Sequence, residues 1–267
     1  MDLFSLKGKV AVVTGACGLL GVQHCNALAE AGAQVVVADL NEAACNTLAA
    51  ALGPQHLAVA MDVTSPASLE NAKNSILERY GRIDVLVNNA AINDMFENPL
   101  LAKEQSMFEN YPLEQWNRSW HVNVSGMFLC SQVMGTAMVQ QGGGSIINIS
   151  STYGVVAPDQ SIYRNAAGEQ TFYKSPAYPV TKAAVLGFTR YLAAYWGNKN
   201  VRVNALSPGG VENSQDDHFI QNYAAKTLLG KMASAADYKG AVVFLASNAS
   251  AYMTGANLVV DGGWTAI

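Results

Sequence analysis

The chain has 267 residues, 50% hydrophobic and 13% charged, with a formal net charge of -4 and 16 Lys and Arg that form no run. Such a balance suits one α/β domain spanning residues 1–267 with a large core, and it offers no basic field for nucleic acid. No stretch reaches 18 uninterrupted apolar residues and residues 1–9 lack the apolar core of a signal peptide, so no membrane partner and a cytoplasmic location are expected.

Lys9 to Thr14 reads as a short apolar strand, followed by Gly15, Gly18, Leu20 and Gly21 in a turn that opens a helical pattern through Ala31. Strand, glycine turn and helix is the context in which backbone approaches a pyrophosphate and a helix N-terminus offers free N–H groups. The next apolar run, Gln34 to Ala38, stops at Asp39. An acidic side chain at this distance from the glycines can accept hydrogen bonds from an adenosine ribose and repel a 2′-phosphate, which favours NAD over NADP; the competing reading is a helix N-cap.

Alternation continues through a third strand (Leu57 to Met61) closed by Asp62-Val63, a helix from Ser65-Pro66 to Tyr80, and a fourth strand (Ile83 to Val87) entering Asn88-Asn89-Ala90-Ala91. Units of this kind build a parallel sheet whose ligands bind beyond the C-terminal strand ends. Asp62, Val63, Asn89 and Ala90 fall at that edge, Asp62 in reach of an adenine amine, while Asn88 is as well suited to tying strands together. The four cysteines, Cys17, Cys25, Cys45 and Cys130, have no C-x-x-C spacing and read as free thiols, with no metal and no disulfide.

Leu113 to Gln140 reads as one long helix in which Asn123 is a polar amide inside an apolar stretch and needs partners. Ser145 to Ser151 is a strand ending in two hydroxyls, only one of which can face a cleft. In Tyr178-Pro179-Val180-Thr181-Lys182 the phenol and the ammonium stand four residues apart on one helix face. A cation held beside a phenol lowers its pKa and makes it a usable base. Val201 to Leu206 is a further strand, capped by Ser207-Pro208-Gly209-Gly210-Val211, and Asn257 to Val260 is the last.

Taken together, Thr14-Gly15, Asp39, Asp62-Val63, Asn88-Asn89-Ala90, Asn123, Ser150-Ser151, Tyr178-x-x-x-Lys182 and Pro208-Gly209 resemble the short-chain dehydrogenase/reductase family from about Leu6 to Trp264. The resemblance implies a Rossmann-like doubly wound fold, a seven-stranded parallel sheet with helices on both faces, a homodimer or homotetramer, and NAD(P)-dependent oxidoreduction of a carbonyl or alcohol. It implies a catalytic set of Asn123, Ser151 (with Ser150 as the fallback), Tyr178 and Lys182, with Asn123 holding a water that relays protons to the lysine. Pro208, Gly209 and Val211 would pack against the nicotinamide, which Tyr178 and Lys182 also face. Three departures stand out: the middle glycine, Gly18, comes one place early; Ala91 replaces a glycine; and Asn213 stands where a threonine often meets the carboxamide.

Two long segments flank the catalytic edge, 92–112 and 152–177, and long loops there are usually functional. Their polar content, Asn93, Asp94, Glu97, Asp159, Gln160, Tyr163, Arg164, Asn165, Glu169, Gln170, Tyr173 and Lys174, favours a sugar or sugar derivative, with Arg164 and Lys174 as candidate anion contacts. This region is also similar to members associated with bacterial surface-sugar and flagellin-glycan synthesis. Alternatives are loops that are merely solvated or build a subunit interface, a reductase of 3-oxoacyl thioesters or apolar ketones, and a non-catalytic NAD-sensing scaffold.

Overall fold

Strand β1 (Val10–Thr14) is buried along its whole length, and its two faces serve two different cores. Ala11 and Val13 join one cluster; Val10 and Val12 join the other. A strand apolar on both faces belongs in the middle of a parallel sheet covered by helices on each side. In the computed structural model, which describes residues 3–93 and 102–267, β1 lies third in a sheet of order β3-β2-β1-β4-β5-β6-β7, all parallel.

The other strands are β2 (Gln34–Asp39), β3 (Leu57–Ala60), β4 (Val85–Asn88), β5 (Gly144–Ile149), β6 (Val201–Pro208) and β7 (Asn257–Val260). One face is covered by α1 (Leu19–Glu30), α2 (Glu42–Leu52) and α9 (Lys239–Ala246), which deliver Leu28, Cys45 and Leu245 to the first core. The opposite face is covered by α3 (Pro66–Tyr80), α6 (Met127–Gln140) and α7 (Ala177–Trp196), through Ile76, Met134 and Leu192. Each such fully buried side chain contributes about 1.5–3 kcal/mol. The short α4 (Ala102–Ser106), α5 (Leu113–Trp120) and α8 (Asp217–Ala224) lie in the connections at the C-terminal end of the sheet or lead into α6.

Local chemistry sets the element ends. Ser65 accepts from Ser68 N–H with Pro66 in the first turn of α3, and Gly81 ends it in the left-handed region, a pairing of cap and stop that favours this register. The expected helix from Leu113 to Gln140 is continuous, but a π-helical turn over His121–Gly126 joins α5 to α6. Its 28 residues are long and apolar enough to cross a bilayer, yet 56% of the most apolar window is buried inside the fold, as for a core helix.

Asp84 ties the N-terminal end of the sheet. Its carboxylate, only 5% exposed, accepts from Val10 N–H (2.9 Å) and from Arg82 Nε (2.7 Å), and pairs with Lys9 (3.3 Å). Burial works against the charge, but the Arg82 and Val10 hydrogen bonds and the two cations hold the carboxyl below its ordinary value. A depressed carboxyl stabilises the fold above its unfolded pKa, and that stability is lost as pH falls through the folded one. Asp84→Asn is therefore expected to cost about 1–3 kcal/mol at pH 7, since both cations are half-exposed. Urea unfolding should show the gap from wild type closing below about pH 4; a gap independent of pH would contradict this role.

Candidate functional site

At the C-terminal ends of β1, β2 and β4 the backbone folds into a groove. Gly15 has φ +59, and a Cβ there would lie 2.7 Å from Ala90 Cα; a Cβ on Gly21 would lie 2.2 Å from Gly15 O. Only glycine permits these approaches. Gly18 is different: it is the N-cap of α1, its Cβ would make an ordinary contact of 3.4 Å, and no side chain caps the helix. The early middle glycine thus leaves both close approaches intact, and Leu19 and Leu20 open α1 along the groove.

Thr14 Oγ1 accepts from the N–H groups of Asn89 and Ala90, both at 3.0 Å, and the Asn89 amide donates to Thr14 O and Gly15 O. Asn88 ties strands, donating to Ser131 Oγ and Asn148 Oδ1. Asp39 stands in the groove wall and accepts from Cys17 N–H at 3.0 Å and Asn41 N–H at 3.3 Å; the cap of α2 is Asn41. Asp62 lies beside the groove, its Oδ1 held by Thr64 N–H and Oγ1 at 2.8 and 2.7 Å, while Met61 and Val63 form the wall. A glycine cradle, an uncapped helix start and a carboxylate at the far end fit a dinucleotide.

The groove, of about 330 Å³, shares Leu19, Leu20, Asn89, Ala91 and Ile92 with a second cavity of about 360 Å³ that holds Ser151, Tyr178 and Lys182. Ser151 follows β5 and accepts from Tyr153 N–H at 3.1 Å, while hydrogen-bonding the Tyr178 phenol. Ser150 points the other way and donates to Lys182 O at 2.7 Å. Lys182 Nζ is buried, donates to Ile149 O at 2.8 Å, and lies 5.7 Å from the Tyr178 ring centre. Burial pushes its pKa down to about 8. The expected lowering of the phenol is corrected, because burial raises Tyr178 and only the Ser151 hydrogen bond opposes it.

Asn123 sits in the π-helical turn. Its Oδ1 accepts from Ile92 N–H (2.8 Å), and its Nδ2 donates to Ile92 O (3.0 Å) and Thr181 Oγ1 (3.2 Å). It therefore joins the segment after β4 to the residue before Lys182. Pro208, Gly209 and Val211 line the cavity. Asn213 is exposed, and the neighbouring side chain in the lining is Gln215, which donates to Val211 O and accepts from Asn213 N–H.

Of the two candidate anion contacts, Arg164 lies away from the cavity lining. It is exposed, bridges Gln170, and donates to its side chain, because the segment from Arg164 to Gln170 pairs with itself. Lys174 does reach the cavity, with Nζ 4.5 Å from the Tyr178 ring centre and donating to Asn93 Oδ1. Much of the remaining loop polarity holds the loop itself: Gln160 brackets the Lys174 backbone, and Asp159, paired with Lys226 and pushed down to about 2 mainly by that contact, caps Ser161. Asp94 and Glu97 lie outside the described residues. The walls are aromatic: Tyr163, already singled out in the long loop, is joined by Tyr153, Phe219 and Tyr223, which the sequence did not single out. Their spacing around Trp264, which stacks on Tyr223 at 4.4 Å, carries no linear period. Among the described residues no three His, Cys, Asp or Glu gather as metal ligands.

Comparison with known proteins agrees with this geometry. The profile of the family described as Enoyl-(Acyl carrier protein) reductase matches residues 15–265. D-threitol dehydrogenase of Mycolicibacterium smegmatis is 36% identical over 98% of this chain and 95% of its own. The 3-alpha-(or 20-beta)-hydroxysteroid dehydrogenase of Mycobacterium bovis is 35% identical over 98% and 91%. The crystal structure of a gluconate 5-dehydrogenase from Burkholderia cenocepacia, in complex with NADP and tartrate, superposes with a TM-score of 0.86 at 31% identity, covering 100% of this chain and 98% of that one. By fold, by profile and by relatives, the chain belongs to the short-chain dehydrogenase/reductase family and is an NAD(P)-dependent oxidoreductase acting on CH–OH groups.

Proposed function

We propose that the enzyme is an NAD-preferring dehydrogenase of a secondary alcohol in a polyol or sugar derivative. The observation that carries this reading is the Ser151–Tyr178 hydrogen-bonded pair in a cavity continuous with the glycine groove. Bound in that groove, a nicotinamide dinucleotide supplies the hydride acceptor or donor. Ser151 orients the substrate oxygen, and Tyr178 takes the hydroxyl proton in oxidation or returns it in reduction. Lys182, fixed by Ile149 O, keeps a positive charge near the phenol below about pH 8. Asn123 acts as a positioning residue, pinning Ile92 and Thr181 on either side of the reacting groups.

Preference for NAD rests on the Asp39 carboxylate at the groove end. Relatives named for threitol and gluconate support the polyol reading, with Lys174 the candidate contact for an anionic substituent. The aromatic wall and the hydroxysteroid-named relative support a second reading, an apolar ring alcohol. A cytoplasmic location fits the free thiols. For assembly, the stacked pair Tyr191 and Tyr195, each 62% exposed on α7 and 5.9 Å apart, with Phe128 on α6, supports a homodimer or homotetramer built on these helices.

Tyr178→Phe should lower kcat about 10²- to 10⁴-fold while thermal unfolding and cofactor affinity stay at wild type; retained turnover contradicts the assignment. Asp39→Ala should raise the NADP to NAD ratio of kcat/KM by about tenfold, the effect of one charge-assisted contact; an unchanged ratio counts against NAD preference. Sedimentation should show a dimer or tetramer that Tyr191→Glu with Tyr195→Glu reduces to a smaller species, and a monomeric wild type would rule this interface out.

A further inference from the structure

The main cavity holds a second pair of hydroxyls that the proton transfer does not use. Tyr153 stands two residues beyond Ser151, in the same turn, and its hydroxyl lies 3.4 Å from that of Tyr163. Both rings are fixed by packing: Tyr153 meets Trp264 edge-on at 6.3 Å, and Tyr163 lies between Phe172 at 5.4 Å and Phe219 at 5.5 Å. Both side chains line the cavity beside Ser151 and Tyr178. Burial pushes Tyr153 far up and Tyr163 up to about 12, so both are neutral donors at ordinary pH.

Each phenol has one proton to donate and two lone pairs. Bonding to each other uses one of the two protons, and at a length beyond the usual O–H···O range. The other proton has no protein acceptor among the described residues. A donor held in a partly closed aromatic wall calls for an acceptor from outside the chain. Ser151 stands between the two pairs, bonded to the Tyr178 phenol and to Tyr153 N–H, so the two hydroxyl pairs address neighbouring parts of one ligand.

We propose that Tyr153 and Tyr163 form a subsite for a second substrate oxygen, making the preferred substrate a diol or polyol whose additional hydroxyl lies close to the reacting carbinol. The inference rests on the polyol reading given above and sharpens it. Hydrocarbon placed at this point would leave a donor buried and unpaired, which a site built for a hydroxyl rejects strongly. The aromatic faces remain suited to the C–H side of the same polyol.

The test is steady-state kinetics of wild type, Tyr153→Phe and Tyr163→Phe with tetritols and pentitols against mono-alcohols of the same carbon count, using NAD. Both substitutions keep the ring and its packing. Wild type should favour polyols, and Tyr163→Phe should lower kcat/KM for them about 10- to 100-fold, mainly through KM, with mono-alcohols changed by no more than about twofold. Equal losses on both substrate sets, or no loss on either, overturn the subsite while leaving the polyol reading in place. A wild type that prefers mono-alcohols or hydroxysteroids, or turns over no polyol, overturns the polyol reading and the subsite with it.

Discussion

The docking of α7 on the end of β5 is the constraint on which the site depends. Ser150 donates its hydroxyl to Lys182 O, and the Lys182 ammonium donates to Ile149 O. Two reciprocal bonds thus join consecutive residues of the strand end to one residue of the helix. Gly154 makes the approach possible, since a Cβ there would meet Ser150 Oγ at 2.5 Å and Lys182 O at 2.7 Å. With helix and strand stitched in this way, the side chain before the turn, Ser151, has no course but toward the cavity, where it meets Tyr178. The adjoining serines therefore divide the labour by strand alternation: one fastens the scaffold and the other faces the reacting groups.

That arrangement has an electrostatic cost, visible in both partners. Burial pushes Lys182 down and Tyr178 up, which are opposite demands on a pair whose useful state is phenolate beside ammonium. The carbonyl of Ile149 favours the charged lysine and the Ser151 hydrogen bond favours the charged tyrosine, so the chain partly offsets what burial imposes. A positively charged ring in the adjoining groove would act in the same direction on the phenol. The protein alone leaves a neutral phenol beside an ammonium that stays charged below about pH 8, and a cation bound in the groove would complete the charge needed for proton abstraction.

Much of the fold was legible because its signals are local or periodic. The apolar runs of β1, β2 and β4, the Ser65-Pro66 cap and the glycine turn each declare themselves within a few residues. Tyr178 and Lys182 were legible for the same reason, one helical turn apart. What escaped depends on partners distant in sequence. The pairing of Arg164 with Gln170 cannot be read from sequence, and neither can the share of the loop's polarity, Gln160 and Asp159 among it, that is spent closing the loop itself. Asn213, set by spacing where a threonine often stands, is exposed and Gln215 lines the cavity, because the chain after Val211 folds back on its own carbonyl. The π-helical turn around Asn123 has no sequence signature, yet it is where the amide reaches Ile92 and Thr181 together, in keeping with the frequent use of such turns at functional sites.

The aromatic wall also couples substrate selection to the end of the chain. Tyr223, from α8, accepts a hydrogen bond from Gly210 N–H and stacks on Trp264. Gly210 is crowded against that same ring, where a Cβ would lie 2.5 Å from Tyr223 Cζ, so the turn after β6 and α8 fit together only with glycine. Trp264 in turn meets Tyr153, which belongs to the turn after Ser151. A path of packed rings therefore runs from the turn that lines the cofactor side, through the C-terminal residues, to the turn that carries the Ser151 hydroxyl. Ring packing of this kind resists small displacements because core-like contacts leave few alternative arrangements. The pocket shape is then a property of three distant segments held as one body, and a change at Trp264 would be felt at the substrate without touching any group that moves a proton.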